Sequence, residues 1–449
     1  MAITDQNPKD VVVPRNFGAY LKNLGPGIVV ALAWLGTGDL IDASVSGANF
    51  GYALLWALLL AVLARYISVS ALSRYQLCNR VGDDTIMDGY RRIWRGFPGI
   101  LSTSIVILGF VYNSYLYVAT GTAIYHLLLP VVDLGPWGIS IGAVFTAVLV
   151  TIVGTRKRIF KALEIVAQIT MAALVVTFLI ALFGSGVDVR HLFQGLLFEI
   201  PEGEGVLTGV VTATALIGAV GGSAANILYP YFMRDKGWIG PRFRKAQVYD
   251  LLFAVGVLFV LVMSVWIVAA ETLHGTGASI SGPEDLAEMM RLAVGDFGPY
   301  LLWIALFFVA FINIPSQADV FSRILVESIH MAKPDRKARM ATRATTLGMP
   351  AANLVRADPV YRFLQIGLLT IAPLIFSVPN GPNVVVLTVL GSSFSVITVP
   401  LMIFGLIYLT SSKKLMLPEH VNKWWQLALL LGVGAIGIWA TYTVISGWF

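Results

Sequence analysis

Long apolar runs alternate with short polar or basic stretches from end to end of the 449-residue chain. A helix needs roughly 20 apolar residues to cross a bilayer. By that measure the pattern predicts eleven spans, at about 24–47, 51–72, 99–127, 135–153, 162–184, 206–233, 249–271, 299–326, 360–378, 383–410 and 425–447. Two runs are interrupted by small residues. In the first, Gly36 and Gly38 weaken helix in the middle of the run, and Asp39 and Asp42 place carboxylates there. In the sixth, the interruption is Gly221-Gly222-Ser223-Ala224-Ala225-Asn226. Broken helices at membrane depth leave backbone groups that need a cavity, an ion or a protein partner. Both are read as discontinuous helices whose breaks form a midplane site. Outside the spans, residues 185–205 read as an external loop with a short turn near Leu192–Leu197. Residues 328–359 read as the longest cytoplasmic stretch, with a surface helix around Arg339–Arg343. Asp358-Pro359 is a helix start signal, a capping carboxylate followed by proline at the first helical position.

Composition makes the spans membrane helices rather than core helices. Hydrophobic residues are 57% and charged residues only 12%, about half the charge of a soluble domain. The expected fold class is an all-α polytopic membrane protein. The net charge of +6 is gathered in short loops, which argues for topology and against nucleic acid as a partner. Loops after the even-numbered spans are basic, as at Arg91, Arg92 and Arg95, and those after the odd-numbered spans are not. The positive-inside rule then places the N-terminus in the cytoplasm and the C-terminus outside, in a prokaryotic plasma membrane. The single cysteine, Cys78, excludes a disulfide framework and a Cys-rich metal site. The chain shows no Walker, nucleophile-elbow, zincin or dinucleotide motif. No cofactor and no enzyme activity are expected, and the partners expected are the lipid bilayer and a transported ion. A monomer is expected.

Each interrupted run is followed by four further spans, with the eleventh left over. Five spans per unit is an odd number, so the second unit lies inverted relative to the first, the plan of many secondary transporters. The expected organisation is a tail at 1–23, a first repeat at 24–184, an external loop at 185–205, a second repeat at 206–410, a cytoplasmic loop at 411–424 and an added helix at 425–449.

The polar residues inside the spans are the candidate chemistry. Asp39 leads, because a carboxylate at membrane depth is costly unless it faces a cavity, an ion or a partner. Asp42 lies three residues on, as a second ligand on the same face or as a cap of the resumed helix. Thr37 and backbone carbonyls at Gly222 and Ala224 add oxygen donors. Asn226 offers an amide oxygen to a cation or amide hydrogens to freed carbonyls. No Met or Cys stands in either interruption, so the donors are hard oxygens. In the eighth span Pro315 removes a rung of the helix ladder. Asp319 and Arg323, four apart, can pair on one face as a gate or packing element near the cytoplasmic end. Arg343 is assigned to the same gate. Arg65, inside the second span, sits near the cytoplasmic end or faces the bundle.

The run Leu24-Gly25-Pro26-Gly27 through Phe50-Gly51-Tyr52-Ala53-Leu54-Leu55-Trp56 resembles the first span of the Nramp family, proton-coupled importers of manganese and iron. Gly121-Thr122-Ala123-Ile124, Lys245 to Asp250, Arg339 to Arg343 and Pro400 to Met416 also match. The resemblance covers most of the chain and implies a LeuT-like fold, two inverted five-helix repeats plus one extra C-terminal helix. The functional positions depart from the family. Its Asp-Pro-Gly-Asn break is Gly36-Thr37-Gly38-Asp39 here, and its Met-Pro-His is Ala224-Ala225-Asn226. Its proton-path acids fall on Tyr115 and Val118, and its span 10 Gln on Leu387 or Thr388. These departures weigh against manganese or iron selectivity and against proton coupling. They are similar to those of the family's magnesium-transporting branch, which implies uncoupled transport of a more hydrated ion. The resemblance thus implies a secondary transporter of a divalent cation, Mg²⁺ first. A small organic solute on the same scaffold, or a non-transporting membrane sensor, are the alternatives.

Overall fold

The computed structural model describes residues 13, 36–154, 169, 173, 176–180, 189–202, 206–222, 224–349 and 351–448. Among them the chain is helical, and the only strand-like pairing is an isolated antiparallel bridge between Asn79 and Met416. The helices that matter below are α1 Thr37–Phe50, α2 Leu55–Cys78, α3 Phe97–Leu128, α4 Gly138–Gly154, α5 Gly209–Leu216, α6 Leu228–Asp235, α7 Arg244–Leu273, α8 Gly298–Ala332, α9 Pro334–Thr346, α10 Val384–Phe394, α11 Thr398–Ser411 and α12 Trp424–Trp448.

Nine stretches of the described residues are long and apolar enough to cross a membrane: Leu55–Cys78, Phe97–Leu128, Gly135–Ile152, Gly209–Asp235, Pro241–Leu273, Gly298–Ala332, Pro359–Ser377, Val384–Ser411 and Trp424–Ser446. They fall on the predicted second, third, fourth and sixth to eleventh spans. The first half of the predicted first span, most of the fifth, nearly all of the 1–23 tail, and Ser223 lie outside the described residues. Apolar side chains cover the outside of the bundle as well as its core. Phe145, Val148 and Ile152 of α4 are 57%, 52% and 50% exposed, as expected of helices whose outer faces meet lipid rather than water.

α3 packs along α8 through the middle of the bundle, and α1 packs along α7. α1 approaches α7 so closely that a side chain at Gly47 would run into the Trp266 carbonyl. The end of α1 is tied down by polar contacts. Asn49 Nδ2 donates to the Ile280 carbonyl at 3.1 Å, and Ile280 N–H donates to Asn49 Oδ1 at 2.7 Å. Trp266 Nε1 donates to the Gly51 carbonyl at 2.8 Å.

The interruptions differ in form from the sequence expectation. In the first run helix begins at Thr37, so Gly38 lies inside α1 rather than in a break. In the sixth, α5 passes into a π-helical segment, Ile217–Gly222, then a 3₁₀ segment, Ala224–Ile227, then α6. Such changes of helix type free backbone groups and frequently mark functional sites. The tenth span contains a 3₁₀ turn at Ser395–Ile397 between α10 and α11. Pro315 sits within an unbroken α8. The start signal at Asp358-Pro359 operates as expected, with Val360 N–H donating to Asp358 Oδ1 at 2.9 Å. The helix expected around Arg339–Arg343 is α9, and a short helix, Val189–Gln194, overlaps the start of the turn expected near Leu192–Leu197.

Candidate functional site

The first turn of α1 gathers the acids. Gly36 N–H donates to Asp39 Oδ2 at 2.9 Å, so the acid caps its own helix. A carboxylate at the positive end of a helix gains about 0.3–1 kcal/mol. Asp42 stands further along, one turn inside, so capping falls to Asp39 and not to Asp42. Both are buried, Asp39 at 2% and Asp42 at 0% exposure. Among the described residues, no hydrogen-bond partner reaches Thr37 Oγ1, Asp39 Oδ1 or either oxygen of Asp42. The absence of a side chain at Gly38 lets three elements meet here. A methyl group there would lie 3.0 Å from Ser392 Oγ of α10, 3.4 Å from Ala219 Cβ of the π-helical segment and 3.6 Å from Asp42 Oδ2. Ser392 lies beside Asp42, close enough to interact but outside hydrogen-bonding geometry.

The second interruption packs on the same place. Asn226 is fully buried, and its amide Nδ2 donates to the Gly221 carbonyl at 3.4 Å. Its Oδ1 has no partner among the described residues. The amide thus satisfies a carbonyl freed by the helix change and keeps its oxygen available. From the other side comes α2. Its Ala61 backbone lies 3.0 Å from where a side chain at Gly221 would stand. One turn on from Ala61, Arg65 is 1% exposed and donates through Nη2 to the Ala219 carbonyl. Arg65 and Asp39 also interact electrostatically. Of the two positions open to Arg65 in the sequence, the structure shows the one facing the bundle.

With this geometry in hand, comparison with known proteins is decisive for the family. The family model described as Nramp, natural resistance-associated macrophage protein-like, matches residues 27–446. The chain belongs to the Nramp family. Among its relatives is the divalent metal cation transporter MntH of Nostoc sp., 24% identical over 98% of this chain and 96% of that protein. The MntH of Levilactobacillus brevis is 23% identical over 94% of this chain and 88% of that one. The Eremococcus coleocola manganese transporter, in complex with an aromatic bis-isothiourea compound, superposes with a TM-score of 0.67 at 16% identity, over 100% of this chain and 92% of that chain. MhsT in complex with L-phenylalanine superposes with a TM-score of 0.53 at 14% identity, over 94% and 98%. These likenesses show the fold of this Nramp-family chain: an all-α, multi-pass, inverted-repeat membrane protein of the LeuT/Nramp kind. It is a multi-pass protein of the bacterial plasma membrane.

At the basic-loop end, the Nramp-family chain carries an ion-pair network that joins α6, α8 and the start of the predicted ninth span. Arg323 donates to both oxygens of Asp235, at 2.9 and 3.1 Å. Its nearest approach to Asp319 is 3.7 Å. Asp319 instead accepts two hydrogen bonds from Arg356, at 2.9 and 3.1 Å, and one from the Tyr361 hydroxyl. Tyr231 donates to Glu327 Oε2 at 2.5 Å. The expected Asp319–Arg323 pair exists, but each residue has a better partner in another element. Arg343 is exposed on α9 and forms no ion pair among the described residues. The arginine that pairs with Asp319 from outside α8 is Arg356.

The structure therefore brings Thr37, Asp39 and Asp42 together at one helix start, with the segment carrying Gly222, Ala224 and Asn226 packed alongside through Ala219. Sequence reasoning left Arg65 open and missed Asp235 and Arg356. A lone arginine in the apolar run 51–72 was the available signal for the first. The other two pair across 88 and 37 positions of sequence, and nothing in the local pattern announces either partner.

Proposed function

We propose that the chain is a secondary transporter of a divalent cation, Mg²⁺ in the first place, working by alternating access without proton coupling. The observation that carries this is the donor set. The buried, uncommitted atoms at the two interruptions are all hard oxygens: Thr37 Oγ1, Asp39 Oδ1, both oxygens of Asp42 and Asn226 Oδ1. Hard cations take oxygen ligands, and Mg²⁺ keeps several of its waters, so a few protein oxygens suffice. The relatives named as divalent metal cation transporters support the substrate class. Asp39 is the principal ligand in this reading. Thr37, Asn226, Asp42 and carbonyls at Gly222 and Ala224 assist, and the Asp319–Arg323–Asp235–Arg356 network is the gate on the basic, cytoplasmic side. Asp39→Ala is expected to abolish saturable Mg²⁺ uptake into proteoliposomes, and wild-type uptake by that variant rejects the assignment.

Arg65 favours a second reading. A buried guanidinium and a buried carboxylate on adjacent elements, not paired with one another, suit a zwitterion, its carboxylate on Arg65 and its ammonium on Asp39. Isothermal titration with Mg²⁺, Mn²⁺ and a panel of amino acids separates the two.

A further inference from the structure

We propose that Arg65 is a tethered counter-cation: its guanidinium neutralises Asp39 in the ion-free transporter and yields that place to the arriving divalent cation. The inference rests on the divalent-cation reading above and adds how the charge of Asp39 is balanced without a coupling ion. Three observations carry it. Arg65 is 1% exposed in an otherwise apolar part of α2, anchored to the Ala219 carbonyl. Ala219 in turn packs on Gly38, the residue before Asp39, with its Cβ 3.4 Å from a methyl placed there. Asp39 keeps one oxygen on the Gly36 N–H and the other uncommitted among the described residues. The anchor and the acid thus lie on adjacent elements and feel each other's charge, without a direct ion pair between them among the described residues.

Physical chemistry makes the pairing consequential. A buried carboxylate costs several kcal/mol unless it is paired. A carrier must return through its occluded state without cargo, and there an unpaired Asp39 would be at its most expensive. Carriers coupled to protons or sodium can neutralise such a charge with the coupling ion. Here the ion is replaced by a side chain that cannot leave. An arginine suits this, since it stays protonated at any physiological pH. A divalent cation entering the site repels Arg65 and competes for the same carboxylate. Affinity is thereby lowered, and release on the far side is helped.

The test uses the full chain in detergent and in proteoliposomes, with Mg²⁺ as the probe. Arg65→Gln is expected to bind Mg²⁺ about tenfold more tightly than wild type by titration calorimetry, because the competing charge is gone. Its net uptake should fall while exchange of internal for external Mg²⁺ persists, since only the empty return is slowed. Arg65→Lys, which keeps the charge, should stay close to wild type in affinity. Unchanged or weaker Mg²⁺ binding by Arg65→Gln overturns the inference, and weaker binding of an amino acid by it favours the zwitterion reading. Stability provides an independent arm. Arg65→Gln should melt at lower temperature, and Asp39→Asn/Arg65→Gln should regain at least half the loss. If Arg65→Gln does not fold, a folded double variant still supports the pairing and an unfolded one rejects it. Asp39→Ala distinguishes the levels. Normal uptake by Asp39→Ala removes the divalent-cation reading itself, whereas lost uptake with no tightening in Arg65→Gln removes only the counter-cation.

Discussion

Gly38 is the residue on which the site closes. It has no side chain, and its neighbours stand where one would be, with Ser392 Oγ at 3.0 Å. Gly38→Ala should therefore cost about 1–3 kcal/mol of stability, the usual range for overpacking. Because the nearest atom is a small hydroxyl, Gly38→Ala/Ser392→Ala should recover most of the loss. Thermal melting of the purified single and double variants checks this, and additive losses would show that Ser392 is not the obstacle. Asp39 could be found in the sequence because an acid directly after two closely spaced glycines in an apolar run has few benign explanations. Arg65 could be seen but not placed. α2 is apolar nearly all round, so the sequence carries no amphipathic phase to say which face the arginine occupies. Only the packing of Ala61 and Arg65 against the Gly221 and Ala219 backbone decides it.

At the scale of elements, the interruptions were located from small residues, but their form was not. The π-to-3₁₀ change near Asn226 frees carbonyls at Ala219 and Gly221 that are met by Arg65 of α2 and by Asn226 itself, while α10 packs on the start of α1 at Gly38. Asp358 shows the same division between local and distant causes. Its capping of the Val360 N–H was legible from the Asp-Pro pair, but its clamp on the segment was not. Arg336 of α9 donates to both its oxygens, at 2.7 and 2.8 Å, and His330 lies 2.9 Å away. Burial pushes the Asp358 carboxyl up, but the hydrogen bonds from Arg336, Val360 N–H and His330 outweigh it and hold it well below the usual carboxylate range. A depressed pKa in the folded state means stability present above the unfolded value and lost only as pH falls through the folded one. The clamp should therefore stay intact from neutral pH down to about pH 4, near the unfolded value, and weaken below it. Asp358→Asn, which keeps a capping oxygen but loses the charge, should cost about 1.5–3 kcal/mol at neutral pH, the size of hydrogen bonds to a charged group. Melting temperature followed against pH tests both statements. An Asn variant as stable as wild type at pH 7 would mean the charge contributes nothing.

At the scale of the molecule, the proposed uncoupled transport must draw on the gradient and charge of its own cargo. Each elementary charge moved through about 100 mV is worth about 2.3 kcal/mol, so a divalent cation moved alone gains about 4.6 kcal/mol, enough for about three powers of ten in accumulation. Membrane potential is then a sufficient driver, provided the charge of Asp39 is balanced in the returning carrier, which is the role proposed for Arg65. Two measurable consequences follow in proteoliposomes. The voltage at which net Mg²⁺ flux reverses should move by about 30 mV for each tenfold change in the Mg²⁺ gradient, the slope for two charges with no companion ion. The same reversal voltage should not move when a pH gradient is imposed, and an internal pH dye should report no acidification that scales with uptake. Co-transport of even one proton per Mg²⁺ would alter the slope and make the reversal voltage depend on pH. The span 3 positions that could carry such a proton are Tyr115, buried beside Tyr112, and Val118, also buried. Neither is an acid or a histidine of the kind proton relays use. A pH-dependent reversal voltage would therefore count against uncoupled transport, and the fixed cation proposed at Arg65 would lose its purpose.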